Sequence, residues 1–312
     1  MLLHHDPRSK RRYVSHAHIH VQSEVWIRPA LNRVADLEAM SAAVQDGLDV
    51  EYVQLEAGAF AGWWSVRPLA SISLQVGGAD VSLVRRIRIP DDAWMFAVPV
   101  AMPSPARWNG CAVDAGEVIT VPPGSRTYVF DPAGSRYAIV VLRGAALTAL
   151  PDGQPPENSV VIRPGLSHMQ ALRRALFRAM DTEEGTVRGV HAADRERALL
   201  ASMADCLASS RQPVPRQSAR SEIVARSEDF VWRHAGENVT IAQLSAASGV
   251  SERSLRNAFY DVCDVGPKRY LRIRSLIAWT SFTKPTLFVR PPSTSTIGNA
   301  LARSTTRQRY IS

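Results

Sequence analysis

Residues 240–259 read TIAQLSAASGVSERSLRNAF and predict two short helices joined by a tight turn. Thr240 and Gln243 fit a capping box, in which each side chain satisfies a backbone N–H at the start of a helix. Gly249 ends this first helix, because glycine adopts the left-handed backbone conformation without a Cβ clash. Ser251 is a favourable N-cap, so a second helix is expected to begin immediately after it.

The second helix carries an apolar stripe on one face and polar side chains on the other. The apolar stripe, at spacings of four and three residues, consists of Leu255, Phe259 and Val262. The opposite face carries Arg253, Arg256, Asn257 and Tyr260. An arginine fork matches O6 and N7 of guanine, and an asparagine amide matches N6 and N7 of adenine. The pattern favours a helix-turn-helix in the DNA major groove; a helical hairpin with a merely solvated polar face is the alternative.

Further helices are predicted on both sides of this motif. Residues 222–234 can form a supporting helix, and Gly266-Pro267 makes a break that suits the first turn of another. That last helix continues through KRYLRIRSLIAW, residues 268–279, with Tyr270 among its packing side chains. Its cations are expected to stay outside: Lys268, Arg269, Arg272 and Arg274.

Residues 220–279 resemble the DNA-binding region of the AraC/XylS family of bacterial regulators. The matching residues are Leu244, Gly249, Val250, Ser251, Leu255, Phe259, Gly266, Pro267, Tyr270, Leu271 and Arg274. In the family, S-x-x-x-L-x-x-x-F is followed by G-x-x-P-x-x-Y-L, whereas the glycine and proline are adjacent here. The resemblance implies a sequence-specific transcription regulator, most often an activator in this family, and not an enzyme.

The residue types and the resemblance together assign expected roles and partners. We expect bases to be read by Arg253, Arg256 and Asn257. Backbone contacts are expected from Ser251, Tyr260, Lys268, Arg269, Arg272 and Arg274. The expected partners are double-stranded DNA, a small-molecule effector, a second copy in a homodimer and, by resemblance alone, RNA polymerase. No cofactor and no membrane partner are expected.

The distribution of charge agrees with a nucleic-acid partner for one part of the chain only. The 312 residues carry a formal net charge of +8. Residues 211–312 hold 16 basic and seven acidic side chains, a net of +9, while residues 1–210 hold 21 and 22, a net of −1. A polyanion partner is therefore expected for the C-terminal third.

Composition places the chain among globular cytoplasmic proteins. It is 46% hydrophobic and 21% charged, and no apolar run approaches the roughly 18 to 20 residues that span a bilayer. Residues 1–13 lack the apolar core of a signal peptide. The three cysteines, Cys111, Cys206 and Cys263, are widely spaced and odd in number, which favours a reducing compartment and buried thiols.

The N-terminal two thirds predict a β-rich domain. Between residues 48 and 150, short apolar runs alternate with glycine and proline breaks, a pattern typical of a sandwich or barrel. The segment from Gly116 to Gly124, GEVITVPPG, resembles the second motif of the cupin barrel. Thr127 stands where metal-binding cupins have a histidine, so no metal site is expected. The predicted fold class is α+β, with a cupin-like β-barrel domain followed by an all-α helix-turn-helix domain.

Candidate contacts for an effector are the aromatic and arginine side chains of the β-rich region. Ligand pockets are mostly apolar with a few polar anchors. The strongest candidates are Trp94, Trp108, Arg126 and Tyr128; the alternative is that each aromatic ring belongs to an ordinary core. His16, His18 and His20 would share one face of a strand, but an incidental basic tail explains them as well.

These predictions divide the chain into six parts. The predicted boundaries are 1–47 for an N-terminal segment, 48–150 for a sensor or dimerisation barrel, 151–210 for a helical dimerisation region, 211–220 for a linker, 221–279 for the helix-turn-helix domain and 280–312 for a disordered or aberrant tail. Helices are expected over residues 168–180 and 194–209. Nothing in the linker is expected to pack, since prolines stiffen it.

The tail departs from the AraC pattern, in which a second helix-turn-helix unit follows. Residues 280–312 are rich in serine, threonine, arginine and proline, and the prolines forbid a continuous helix. We hypothesise a shift of reading frame near residue 279, which translation of the other frames would test. Two alternatives to an intact regulator stay open: a truncated regulator that forms only mixed dimers, and a cupin-type enzyme.

Overall fold

The computed structural model describes residues 32–44, 46–148, 150, 160–180, 188–209, 214–215, 218–234 and 237–282. The chain divides into two units, Met1–Arg274 and Ser275–Ser312, and the first holds all the features that follow except the end of its last helix. His16, His18 and His20, and the predicted tail beyond residue 282, lie outside the described residues. Among the described helices, none is long and apolar enough to cross a membrane.

The strands, numbered in chain order, form two antiparallel sheets. The eight-stranded sheet runs from edge to edge through β1 (Asn32–Val34), β3 (Gly62–Pro68), β4 (Ser73–Ala79), β11 (Arg136–Arg143), β6 (Ala93–Ala101), β9 (Val118–Val121), β12 (Val160–Ile162) and β13 (Val214–Pro215). The five-stranded sheet runs through β2 (Asp49–Gln54), β5 (Leu83–Arg88), β10 (Arg126–Asp131), β7 (Ala106–Trp108) and β8 (Cys111–Val113).

The helices fall into two groups along the chain. Those within or next to the sheets are α1 (Leu37–Ala43), α2 (Ala145–Thr148), α3 (Leu166–Met180) and α4 (Arg188–Ser209). Those of the C-terminal part are α5 (Ala219–Arg233), α6 (Ile241–Ser248), α7 (Glu252–Cys263) and α8 (Pro267–Phe282). The helices predicted over 168–180 and 194–209 are confirmed as α3 and α4, and both begin a few residues earlier than expected.

The two sheets face each other and enclose a core between them. On β6, Met95 and Ala97 point into this inter-sheet core, whereas Trp94, Phe96 and Val98 point toward α3 and α4. Alternate residues of a strand face opposite sides, so both faces of β6 are buried. This double burial explains why β6 is a continuous apolar run rather than an alternating one.

The α+β class is confirmed, but the predicted closed barrel is wrong. Among the described residues no hydrogen-bonded ladder joins the two sheets, and each keeps its own edge strands, β1 and β13 in one and β2 and β8 in the other. Alternation in the sequence identifies strands and their buried faces, whereas closure depends on which distant strands pair. Strands β1, β12 and β13 also carry the sheet beyond the segment 48–150.

The local geometry predicted for the helix-turn-helix is confirmed. Thr240 and Gln243 form both halves of the capping box at the start of α6. Gly249 ends α6 with a φ of 67°, in the left-handed region. Ser251 caps α7, and its side chain accepts from the backbone N–H of Ser254. Short-range rules therefore suffice to place both helices and the turn between them.

The predicted linker, residues 211–220, carries more structure than expected. Its Val214–Pro215 segment pairs with β12 at the edge of the eight-stranded sheet, a place where proline is tolerated because one side of an edge strand needs no ladder bond. Ser218 caps α5, which begins at Ala219, inside the predicted linker. The chain is thus tied to the sheet shortly before the helix-turn-helix begins.

The three cysteines differ in burial, and we expect them to differ in reactivity. Cys206 and Cys263 are buried, and Cys111 is partly exposed. Burial raises the pKa of the Cys206 thiol to about 11 and that of Cys263 well above its usual value, and the thiolate is the reactive form.

Iodoacetamide at pH 8 should therefore modify one thiol of the native chain and three in denaturant, counted by mass spectrometry. Cys111→Ser should abolish the native modification; rapid labelling of Cys263 would contradict the packing described here.

Candidate nucleic-acid interface

The second helix of the motif, α7, packs against α5, α6 and α8. The buried side chains that α6 and α7 contribute are Leu244, Leu255, Phe259 and Val262. Phe259 meets Tyr270 of α8 edge to face, with ring centroids 5.4 Å apart. The hydroxyls of Ser227 and Ser248 lie 2.7 Å apart and link α5 to α6 inside the bundle. The apolar stripe therefore packs α7 onto the bundle, and the hydroxyl pair joins two of the helices behind it.

The opposite face of α7 is exposed and carries the predicted base readers. Arg253, Arg256 and Asn257 are all exposed, and Tyr260 is 50% exposed. Residues three and four apart share a helix face, so these side chains line one side of α7. Ser251 is exposed as well, although its hydroxyl already serves as the helix cap. The structure thus brings the three predicted base readers together on one surface.

The cations of α8 are divided, which corrects the expectation that all of them stay outside. Lys268, Arg269 and Arg272 are exposed as expected, and Arg269 also donates from Nη2 to the backbone oxygen of Leu55, over 2.8 Å. Arg274 is the exception. Arg274 donates from Nη1 to Oε2 of Glu51, over 3.1 Å, and its side chain is only 17% exposed.

The surroundings of Arg274 explain why it is charged and yet largely buried. Its pKa is raised from the usual arginine value: burial opposes the charged form, but Tyr270, Glu228 and Glu51 outweigh it. Helical periodicity marks position 274 as polar without showing that a carboxylate more than 200 residues away supplies its partner. The expectation for Arg274 was wrong because its position depends on a long-range contact, which no local sequence pattern encodes.

The four predicted effector contacts lie in three different places. Trp94 packs in the core between the eight-stranded sheet and α3 and α4, 4.6 Å from the ring of Phe96. Trp108 belongs to the inter-sheet core. Arg126 and Tyr128 lie on β10, where Arg126 Nη1 is 2.7 Å from Oδ1 of Asp229 on α5. Only Arg126 and Tyr128 are therefore neighbours, and they face the helix-turn-helix region.

A buried polar cluster between the sheets was not foreseen from the sequence. Arg85 is 4% exposed and donates from Nη2 to Oδ1 of Asp131 over 3.0 Å. Its guanidinium lies 4.7 Å from the ring of Tyr137, next to a cavity of about 20 Å³ that Trp64 also lines. Burial raises the pKa of Tyr52 and of Tyr137, so both phenols stay neutral. The run VRRIR leaves open which arginine points inward, and only strand pairing selects Arg85.

The position that aligns with the cupin histidine has a structural role. Thr127 is fully buried, and its hydroxyl donates to Oδ1 of Asn109 over 3.2 Å. The same oxygen accepts from the backbone N–H of Tyr128 over 2.9 Å. Within the described part of the chain, no group of three or more His, Cys, Asp or Glu side chains is placed to hold a metal ion.

Comparison with known proteins gives likenesses among solved structures only. No family model and no curated protein matches the chain. The AraC-like transcriptional activator CuxR is similar over 80% of this chain and 94% of its own, with 13% identity and a TM-score of 0.44. An apo variant of ToxT from Vibrio cholerae strain SCE256 is similar over 77% and 83%, with 9% identity and a TM-score of 0.29. With TM-scores below 0.5, these likenesses carry no conclusion about function.

The packing behind α7 predicts unequal effects of two substitutions on that helix. Phe259 is 1% exposed, and Phe259→Ala should lower the free energy of unfolding by about 3–5 kcal/mol, because it leaves a cavity against Tyr270. Arg256→Ala, on the exposed face, should change it by no more than about 0.5 kcal/mol. Urea denaturation followed by circular dichroism measures both values. Equal effects would mean that α7 is not held by its apolar stripe.

Proposed function

We propose that this chain is a sequence-specific DNA-binding transcription regulator of the AraC type that responds to a small effector. The observation that carries the proposal is the exposed row of Arg253, Arg256 and Asn257 on a helix whose other face is buried. A helix that reads DNA bases must present hydrogen-bond donors to the base edges and must itself be held in a fixed position. Helix α7 meets both requirements. The net charge of +9 on residues 211–312 supports a polyanion partner.

Each exposed polar residue of the motif has a proposed role. Arg253, Arg256 and Asn257 read bases in the major groove. Contacts to the phosphate backbone come from exposed residues, namely Ser251, Tyr260, Lys268, Arg269 and Arg272. Arg274 joins them only when it leaves its carboxylate partner on the sheet. Phosphate contacts set the register of a protein on DNA, and base contacts set the sequence preference.

The region of the two sheets is proposed to sense the effector and to pair subunits, with α3 and α4 in a homodimer contact. A homodimer would present two copies of α7 to two half-sites, as is usual for helix-turn-helix proteins. Contact with RNA polymerase and an activating role follow from the AraC resemblance alone. The alternative is a regulator that acts only through mixed dimers with an intact relative.

The proposal predicts a preference for specific DNA that survives moderate salt. The purified chain is titrated with the duplex upstream of its own gene and with a scrambled duplex, at about 50 and 200 mM salt. A preference of about 10³-fold or more for the native duplex is expected at both concentrations, because base contacts add to the phosphate contribution. If both duplexes bind equally and binding disappears at 200 mM salt, net charge alone drives the binding. That result would refute sequence-specific regulation.

Two substitutions that each remove one positive charge separate base reading from phosphate contact. Arg256→Ala should weaken binding to the preferred site by about 1–3 kcal/mol and relax specificity at one base pair. Lys268→Ala should weaken binding to every duplex alike and lower the slope of log K against log[salt] by about 0.9. The measurement is fluorescence anisotropy over a series of single-base variants. An identical loss of specificity in both variants would contradict the assigned roles.

A further inference from the structure

The outer face of the five-stranded sheet, which points away from the inter-sheet core, is buried although it belongs to an outer layer. Val53, Val84 and Tyr128 lie on this face, since their strand neighbours Tyr52 and Val129 point into the inter-sheet core. The three side chains are only 2%, 1% and 2% exposed. Side chains on an uncovered sheet face would be open to solvent, so another layer covers them.

That covering layer consists of α5, α7 and α8, the helices of the helix-turn-helix region. Arg107 of β7 donates from Nη1 to the backbone oxygen of Tyr260, over 2.6 Å, and lies 3.0 Å from Oδ1 of Asp264. Ser218, the cap of α5, donates to the backbone oxygen of Asn109 over 2.8 Å. The C-terminal end of α7 is therefore fastened to the sheet, while its N-terminal half carries the base readers.

The centre of this contact is a row of alternating charges drawn from the sheet and the helices. Glu51 of β2 faces Arg86 of β5 across the strand pair, with 2.5 Å between their side chains, and it also accepts from Arg274. Arg86 lies 3.8 Å from Oε2 of Glu228 on α5, a carboxylate only 2% exposed. Glu228 in turn accepts from the hydroxyl of Tyr270 on α8.

The aromatic ring of Trp232 covers the outer side of this row of charges. The guanidinium carbons of Arg86 and Arg274 each lie 5.2 Å from the ring centroid of Trp232. The Arg86 side chain is 16% exposed and that of Glu51 is 24% exposed. Charges that are this far removed from water depend on one another, because the loss of one leaves its partners uncompensated.

We propose that the outer face of the five-stranded sheet is an autoinhibitory dock for the helix-turn-helix of the same chain, closed by the Glu51–Arg274 and Arg86–Glu228 pairs. The inference rests on the proposed function, because what the dock withholds is binding to DNA. Arg274 of α8 is paired with a carboxylate of the sheet and its side chain is only 17% exposed, and a cation that is paired there cannot neutralise a phosphate. The dock also fixes the direction in which α7 presents its base readers. Release of the dock frees Arg274 and lets α7 reorient.

The test weakens the dock from the sheet side, away from every residue proposed to contact DNA. Glu51→Gln removes the carboxylate shared by Arg86 and Arg274. Asp92→Asn is the matched control, since it makes the same change in net charge away from the dock, in the turn before β6, where Asp92 pairs with Arg143 over 3.4 Å. Both full-length variants and the unaltered chain are titrated with one duplex over a salt series, and their radii of gyration are measured by small-angle X-ray scattering.

We expect Glu51→Gln to bind DNA about fivefold or more tightly, the lower end of ordinary coupling between sites. Its slope of log K against log[salt] should steepen by about 0.9, the contribution of the one cation that is released, Arg274. Its radius of gyration should increase. Asp92→Asn should show neither change. Equal affinity, slope and dimensions in the two variants would overturn the dock.

A second variant guards against misfolding and against a trivial effect of charge. Arg107→Ala removes an interface side chain that is 36% exposed, and circular dichroism checks that it folds. Loss of a positive charge by itself weakens DNA binding, whereas release of the dock strengthens it, so tighter binding by this variant supports the dock and weaker binding opposes it. An expanded Glu51→Gln chain that binds no DNA would keep the dock and refute the proposed function.

Discussion

Both sheets of this chain have apolar side chains on both faces. These faces must be covered, and this requirement determines where the other layers of the first unit lie. The inter-sheet core covers one face of each sheet. Helices α3 and α4 cover the second face of the eight-stranded sheet, and the helices that carry the arginines lie against the five-stranded sheet. Burial of apolar area is the dominant favourable contribution to folding, so the helix-turn-helix contributes to the stability of the unit as well as carrying the candidate site.

This double role divides the polar residues of the motif. On α7 the two demands use different surfaces, because Leu255 and Phe259 face the bundle while Arg253 and Arg256 face outward. On α8 the demands compete, because Arg274 has a carboxylate partner on the sheet and is also a candidate for phosphate contact. Most of the Arg274 side chain is buried against the sheet, so the charge available to a nucleic acid depends on how the helices sit on the sheet.

The residues behind the AraC resemblance are mainly those that build the motif. Leu244, Leu255, Phe259 and Tyr270 are buried, and Gly249 occupies a left-handed turn. Packing density and backbone conformation restrict which residues these positions accept. The exposed face of α7 has no such restriction, and in the proposed function its side chains determine which DNA sequence is preferred. The resemblance therefore indicates the architecture of residues 220–279 and leaves the target site open.

The sequence by itself determined the helices, their caps, the turn at Gly249 and the two faces of α7, because these depend on contacts within four residues along the chain. It also determined most strands and their apolar faces. Only the tertiary structure decided that the strands form two open sheets rather than a barrel, that Arg85 rather than Arg86 points inward, and that Arg274 meets Glu51. Those outcomes depend on pairings between distant segments, which alternation and helical periodicity do not specify.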